Sequence, residues 1–312
     1  MLRWMPHTVL LLTAVFVIGI QQPAKPEATS LLGAPLFAPQ QSAETRAALE
    51  KNLAAARADF EKNPASVDAS IWLGRRTAYL GRYREAIAVF SAAIQNHPTD
   101  ARLYRHRGHR YISVREFDNA IADLSKAAAL VAGRPDEVEP DGQPNARNLP
   151  TSTLKTNIYY HLGLAHYLKA EFAPAADAYA LCMAHSKNAD MQVATAHWQY
   201  MTLRRLGRDA EAGSVLQPIT GGMPVIENAS YHKLLMMYKG AADADALRAA
   251  SKAAALDAVT IGYGVANWHL YNGREPAARK ILEEIVAENA TTQWAGFGYI
   301  AAEADLARMR RR

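Results

Sequence analysis

The sequence predicts an all-α fold, a solenoid of about six helix-turn-helix units stacked in chain order. A pattern of small and aromatic residues recurs after 34 residues between Val67 and Leu130. The matched pairs are Gly74 with Gly108, Tyr83 with Phe117, Ala86 with Ala120, Phe90 with Leu124, and Ala93 with Ala127. Apolar residues recur at helical spacing on both sides of Gly81, so each copy predicts two helices joined by a turn.

The residue sizes within one copy suit two antiparallel helices. Gly74 and Ala86 are small where the helices would approach closely, and Phe90 is large where the pair must fill space. Pro98 stops the second helix because proline cannot donate a hydrogen bond to the preceding turn, and Asp100 can cap the next helix. Each copy is therefore predicted to be a helical hairpin.

These residues resemble the tetratricopeptide repeat family, whose helical hairpins repeat every 34 residues. The residues of the resemblance are Leu73-Gly74, Gly81, Tyr83, Ala86, Phe90, Ala93 and Pro98, then Gly108, Tyr111, Phe117, Ala120 and Ala127. The resemblance implies a right-handed superhelix that binds a protein or peptide in a concave groove. Family members that bind chaperones hold a C-terminal carboxylate with lysine and asparagine. Here Ile71, His106 and His161 occupy comparable places, so that ligand is not implied.

The rest of the chain extends or interrupts this repeat. Gly163, Phe172, Ala175 and Tyr179 reproduce the earlier spacings, and Gly207–Ala212 and Gly273–Ala278 keep the five-residue gap of Gly81–Ala86. The predicted segments are a signal or anchor helix at 1–20, a Pro-rich linker at 21–41, a capping helix at 42–66, two repeats at 67–130, a Pro-rich insertion at 131–155, degenerate repeats at 156–290 and a capping helix at 291–312.

The insertion combines four prolines with four acidic residues. Long loops without secondary structure are usually functional or disordered. Two interpretations stay open: a mobile surface loop, or a segment that folds against the groove or marks a partner contact.

The N-terminus differs from the rest of the chain. Arg3 precedes a nearly pure apolar run of 13 residues from Thr8 to Ile20. That length suits a signal peptide or, with its flanks, a short membrane span. The cleavage site is poor, which favours an uncleaved anchor, and a cleaved signal remains the alternative. We therefore expect a single-pass protein of the cell inner membrane with its repeats in the periplasm, anchored by Val9, Leu10, Leu11, Leu12, Val15, Phe16, Val17 and Ile18.

Composition narrows the possible functions. The 35 basic and 30 acidic residues give too weak a bias to imply nucleic acid as a partner. The lone Cys182 excludes an internal disulfide bond. No nucleophile constellation or phosphate loop is recognisable, so we expect neither an enzyme nor a cofactor. His106 and His109 could share a helix face, but a metal site needs further ligands, so no metal is expected either.

The concave groove is the remaining candidate site. The first helix of each hairpin would present aromatic and basic residues there, a mixture typical of binding hot spots. The predicted partner-binding residues are Trp72, Arg75, Tyr79, Arg105, His106, His109, Tyr160, His161, Tyr167, Trp198 and Arg204. This predicts an extended, acidic partner segment bound by a non-catalytic, membrane-tethered scaffold. The alternatives are an accessory subunit of a membrane complex, for example a respiratory or photosynthetic one, and a periplasmic protein that binds a metal or small ligand.

Overall fold

The computed structural model describes residues 25–311. Within that range it contains one two-stranded antiparallel sheet and fourteen helices. The elements are β1 Ala28–Thr29, β2 Pro35–Leu36, α1 Ala43–Lys62, α2 Val67–Tyr79, α3 Tyr83–Asn96, α4 Ala101–Ser113, α5 Phe117–Val131, α6 Leu154–Leu168, α7 Phe172–His185, α8 Ala189–Arg205, α9 Asp209–Leu216, α10 Ala229–Tyr238, α11 Ala244–Ser251, α12 Ala255–Tyr271, α13 Glu275–Asn289 and α14 Phe297–Met309.

The helices form six consecutive hairpins, from α2–α3 to α12–α13. The two helices of the first three hairpins pack closely on each other, and α3, α5 and α7 each contact the first helix of the next hairpin. The first helices also form a row, because α2 contacts α4, α4 contacts α6, α6 contacts α8, α8 contacts α10 and α10 contacts α12. The predicted all-α solenoid of helical hairpins is therefore confirmed.

Close helix contacts explain the glycine that recurs in the first three hairpins. A Cβ atom on Gly74 would lie 2.4 Å from Cζ of Phe90. In the next two hairpins, added Cβ atoms on Gly108 and Gly163 would lie 2.8 Å from Leu124 Cγ and Tyr179 Cε1, respectively. Each glycine thus faces a large residue 16 positions later, on the partner helix. The spacing fixes where the two helices touch.

A residue with positive φ closes the turn between the two helices of every hairpin. Arg115 and Ala170 adopt this conformation although it favours glycine. The six residues and their φ angles are Gly81 at 78°, Arg115 at 67°, Ala170 at 63°, Gly207 at 71°, Gly240 at 80° and Gly273 at 74°. The hairpin therefore imposes the positive φ at this turn position even where the residue is not glycine.

The two ends of the described chain pack onto the solenoid. Residues 25–41, part of the predicted linker, form the β1–β2 hairpin and bury Leu36. The indole Nε1 of the fully buried Trp294 donates a 2.6 Å hydrogen bond to the carbonyl of Phe37. The ring of Trp294 packs edge-on against Tyr83 at 5.4 Å. Trp294 therefore joins the N-terminal hairpin, the first repeat and the C-terminal segment.

The final helix does more than cap the solenoid end. α14 packs on α12 and α13, as a predicted cap would, but it also contacts α6. Its Glu303 is fully buried and pairs with Arg115 at 3.0 Å, in the turn of the second hairpin. Residues 298–307 are all buried, so α14 fills part of the space on the inner side of the first helices.

The predicted anchor at 1–20 lies outside the described residues. Within residues 25–311, no helix combines the length and the apolar character that a membrane span requires.

Candidate functional site

The inner faces of α2 and α4 carry a dense group of aromatic and basic side chains. The guanidinium carbons of Arg75 and Arg76 lie 4.7 and 5.0 Å from the ring centroid of Trp72. Arg76 also lies 5.8 Å from the ring of Tyr79, one turn further along α2. On α4, the buried imidazole of His106 stacks on Phe90 at 5.6 Å. We call this surface, with Arg105, His109 and Arg110, the arginine face.

The acidic insertion crosses the arginine face in an extended path. Arg75 donates a 2.8 Å hydrogen bond to the carbonyl of Pro140, and Arg76 donates one of 2.7 Å to the carbonyl of Gly142. Arg105 pairs with the Glu139 carboxylate at 2.9 Å, with both side chains about 10% exposed. Of the two interpretations left open by the sequence, the structure has the insertion folded against the predicted groove.

Gly142 is seated against the face so closely that no side chain fits. A Cβ atom there would lie 1.7 Å from the Tyr79 hydroxyl and 2.8 Å from Nη2 of Arg75. The residue before a proline is restricted to extended conformations, which keeps Glu139 extended ahead of Pro140. The short segment Glu139–Gly142 thus meets the face with one carboxylate and two main-chain carbonyls.

Positive charge exceeds negative charge at this face. A cavity of about 110 Å³ lies beneath it, lined by Arg75, Arg105 and Arg110 together with Tyr79, Phe90, His106, His109 and Ala78. The guanidinium of Arg110 lies 5.6 Å from the ring centroid of Tyr83, and no carboxylate of residues 25–311 pairs with it. Burial and the neighbouring Arg105 and Arg75 lower the pKa of Arg110 to about 10, despite the opposing effect of the nearby tyrosines. The face therefore favours a ligand that brings negative charge.

The three histidines of this region are uncharged at neutral pH. Burial, followed by nearby arginines, holds the pKa of His106 and His109 well below the usual range, and burial and Arg105 do the same for His161. The rings of His109 and His161 are 4.2 Å apart. No cluster of three or more His, Cys, Asp or Glu side chains in the described part of the chain is arranged to hold a metal ion. The face's positive charge therefore comes from its arginines.

Two further predicted residues lie beside this face, on α6. Tyr160 and His161 are both buried, and their ring centroids lie 6.3 and 5.7 Å from that of Phe297, the first residue of α14. His109 lies 5.5 Å from the same ring. A second cavity of about 530 Å³ begins between His109 and Phe297 and extends to Glu227, Tyr231 and Lys233. The larger cavity therefore adjoins the arginine face at His109 and is lined there by Phe297 of the C-terminal segment.

Two other predicted groove residues, Tyr167 and Trp198, are buried. Tyr167 is fully buried, and its hydroxyl is 2.7 Å from that of Tyr263, which donates to Asp305 of α14 at 3.0 Å. Trp198 is 1% exposed and packs edge-on against Tyr167 at 5.2 Å. The protein's own residues therefore bury both side chains in this conformation. Arg204 lies apart from them, half-buried at the end of α8, with its guanidinium 4.3 Å from the ring of Tyr271.

The structure therefore brings six of the eleven predicted residues together at one place: Trp72, Arg75, Tyr79, Arg105, His106 and His109. It adds Arg76, Arg110 and Glu139, which the sequence analysis did not select as site residues. Arg110 follows His106 by four residues, so helical spacing alone could have placed it on the same side of α4. Glu139 lies in the insertion, outside the repeat pattern. No sequence signal could place it at the site, because its position depends on how the insertion folds.

Neither a family model nor a curated protein matches the sequence. Among solved structures, the chain is similar to a tetratricopeptide repeat protein from Parabacteroides merdae, with 14% identity, 82% of this chain and 92% of the other covered, and a TM-score of 0.48. It is also similar to YrrB, described as a TPR protein with an unusual peptide-binding site, with 14% identity, 77% and 95% coverage and a TM-score of 0.43. It is similar to MamA as well, with 17% identity, 54% of this chain and 92% of the other covered, and a TM-score of 0.39.

The assignment of the fold rests on the chain's own geometry. Six hairpins follow one another, three of them share the same glycine contact, and every hairpin turn contains a residue with positive φ. The chain therefore has a tetratricopeptide-like fold of consecutive helical hairpins.

Proposed function

We propose that the protein is a non-catalytic scaffold that binds an extended, acidic segment of another protein on the arginine face. The observation that carries this proposal is the way Arg75, Arg76 and Arg105 hold the acidic insertion. Two arginines donate to main-chain carbonyls and one pairs with a carboxylate. Main-chain contacts of this kind recognise an extended chain, and the carboxylate contact selects its charge.

The aromatic residues of the face support a protein ligand. Trp72 and Tyr79 are only partly buried, and both hold arginine side chains over their rings. Aromatic and arginine side chains dominate the binding energy of many protein interfaces. A cavity of about 280 Å³ lies between α2, α4 and the insertion, and Trp72, Arg75 and Glu139 are among its lining residues. The face thus has room for side chains that the insertion lacks.

The chemistry of the lone cysteine supports a non-catalytic role. Cys182 is fully buried on α7, and burial raises the pKa of its thiol to about 11. A thiol with that pKa is protonated at neutral pH and is a poor nucleophile. The thiol donates to the carbonyl of Thr156 and lies 3.2 Å from Oγ1 of Thr195, and these contacts take up its hydrogen-bonding capacity.

We further propose that the apolar run Thr8–Ile20 tethers the protein to the cell inner membrane with its repeats in the periplasm. The run's length and the preceding Arg3 support this placement. A tethered scaffold could serve several partners, or it could be an accessory subunit of one membrane complex. Both roles use the arginine face, and they differ in whether one partner is bound in constant proportion.

Detergent extraction followed by a pull-down of the full chain under native conditions tests the proposal. We expect one or more partners that are lost when Arg75→Glu and Arg76→Glu are combined. The matched control is Arg279→Glu, which makes the same charge change on the partly exposed side of α13, where Arg279 pairs with Glu275. Partners retained by the double variant, in a protein that remains folded, would contradict binding at the arginine face. A single stoichiometric membrane partner would favour the subunit, and several would favour the scaffold.

A further inference from the structure

The segment Glu137–Gly142 is attached to the solenoid at its base and held along its length by polar contacts. Val138 and Thr153 form an isolated antiparallel bridge, with hydrogen bonds from Leu154 N to Glu137 O and from Glu139 N to Ser152 O. Beyond the bridge, only Glu139 and Gly142 of the segment are buried. Val138 is 62% exposed, so the segment's one branched apolar side chain adds little burial. Lifting the segment from the face would therefore expose little apolar surface.

Each position of the segment matches one feature of the arginine face. Glu139 supplies the carboxylate for Arg105, and Pro140 supplies a carbonyl for Arg75 while keeping Glu139 extended. Gly142 supplies a carbonyl for Arg76 and leaves space for the Tyr79 hydroxyl. The side chain of Asp141 has no hydrogen-bond role at the face. The arginine face therefore recognises the pattern Glu-Pro-x-Gly, in which Asp141 occupies the position x.

The segment satisfies the face incompletely. Nε of Arg105 and Oε2 of Glu139 are both buried without a hydrogen-bond partner. Glu139 pairs with Arg105, and Asp141 lies within electrostatic range of Arg75, but no carboxylate of residues 25–311 lines the 110 Å³ cavity where Arg75, Arg105 and Arg110 meet. Buried polar atoms without partners, and buried charge without compensation, both disfavour the bound state. A segment with a second negative charge directed at Arg110 would bind the face better than the insertion does.

We propose that Glu137–Gly142 is an internal ligand that occupies the partner's binding site. The partner then carries an extended segment with the same pattern: an acidic residue, a proline directly after it, and a glycine three residues after the acid. A further negative charge that reaches Arg110 lets the partner displace the insertion. This inference rests on the proposed function, since it specifies what the arginine face binds.

A synthetic peptide with the sequence of residues 137–143, blocked at both ends, tests the inference on the full chain. Binding is followed through the fluorescence of Trp72, which lies under Arg75 and Arg76; Trp72→Phe identifies its part of the signal. In wild type the insertion competes with the peptide. In the Gly142→Ala protein, the new methyl group would meet the Tyr79 hydroxyl and release the insertion. We expect this variant to bind the peptide at least tenfold more tightly, because the fraction of open sites rises.

The controls separate displacement from general loosening of the fold. Gln143→Ala changes an exposed residue of the same insertion and should leave peptide affinity at the wild-type value. A peptide with alanine at the glycine position should bind the Gly142→Ala protein at least tenfold more weakly than the original peptide. Glu139→Gln is a second way to release the insertion and should also raise affinity.

Equal affinity of wild type and both releasing variants, or no binding by any of them, would overturn the internal-ligand inference. The proposed function would survive that result if the pull-down still depended on Arg75 and Arg76. Conversely, loss of the pull-down dependence would remove the proposed function whatever the peptide does.

Discussion

Arg105 and Glu139 form a buried ion pair at 2.9 Å between an inner helix of the second repeat and the acidic insertion. The pair is made by a single contact between Nη2 and Oε1, and the adjacent Nε and Oε2 atoms stay without partners. The arginine face is thus covered by the protein's own acidic segment. The insertion is therefore packed on the arginine face and is not a separate loop.

Arg105 and Glu139 should be energetically coupled to each other, although one atom of each side chain lacks a hydrogen-bond partner. We expect a double-mutant cycle of Arg105→Gln and Glu139→Gln to give a coupling free energy of about 1–3 kcal/mol, because the two side chains contact each other directly and either change breaks the same contact. Urea unfolding of the four proteins measures it. The exposed pair Arg208–Glu211 provides the control cycle and should couple much more weakly. Equal coupling in the two cycles would show that the insertion is not seated at the face.

Gly74→Ala should destabilise the first hairpin. The new Cβ atom would lie 2.4 Å from Cζ of Phe90, so the α2–α3 contact must open. We expect a loss of about 1–3 kcal/mol in the free energy of unfolding. Gly213→Ala in α9 is the matched control, since its Cβ meets no atom within 4 Å, and it should stabilise by about 0.5–1 kcal/mol. Opposite signs in urea unfolding support the repeat packing. A Gly74→Ala protein as stable as wild type would count against it.

Ala170→Gly should stabilise the protein. Ala170 adopts a φ of 63° in the turn of the third hairpin, where glycine occupies the equivalent position in four other hairpins. Relief of the left-handed strain exceeds the added entropy of the unfolded chain, so we expect a gain of up to about 1 kcal/mol in unfolding free energy. Ala210→Gly, in the exposed first turn of α9, should instead lower stability. Thermal unfolding decides between the two signs, and a lower melting temperature for Ala170→Gly would refute the turn assignment.

Acid should destabilise the fold through its buried histidines. Burial lowers the pKa of His197 to about 3, whereas an unfolded histidine binds a proton near pH 6.5. Between those values the unfolded chain holds one more proton per such residue. Stability is therefore present above pH 6.5 and falls by about 1.4 kcal/mol per pH unit per histidine as the pH drops.

His106, His109 and His161 act in the same direction, because burial also lowers their pKa values. His197→Phe keeps an aromatic ring against Tyr231, which lies 4.6 Å away, and removes the titrating group. We expect urea unfolding at pH 7, 6 and 5 to show a weaker pH dependence of the unfolding free energy for this variant. The difference should correspond to about one proton fewer taken up on unfolding. An unchanged slope would mean that His197 is accessible to protons in the folded state.

Short-range patterns predicted the repeat well because its packing is local. Gly74 and Phe90 are 16 residues apart on adjacent helices, so their sizes alone indicate the hairpin. The start of α1 at Ala43 follows directly from the Ser42 cap, whose side chain accepts a hydrogen bond from Thr45 N. Such signals depend on residues within one repeat period.

Long-range contacts were outside the reach of those patterns. Helical spacing places Tyr167 and Trp198 on the inner side of α6 and α8. It does not reveal that Tyr167 is linked through Tyr263 to Asp305 of α14, or that Trp198 packs on Tyr167. Small residues such as Ala301, Ala302 and Ala304 occur on several faces of α14, which indicates a buried helix. They do not indicate which helices it packs against. Glu139 reaches Arg105 through an insertion without periodicity, so its role becomes visible only in the folded chain.

Hydrogen exchange of the full chain, with and without the saturating 137–143 peptide, tests the central claim most directly: the insertion occupies a binding face. If the insertion occupies the face, the amide of Glu139, which donates to Ser152 O in the seated insertion, exchanges faster when the peptide is bound, while α2 and α4 keep their protection. Unchanged or slower exchange in the insertion at peptide saturation would contradict it.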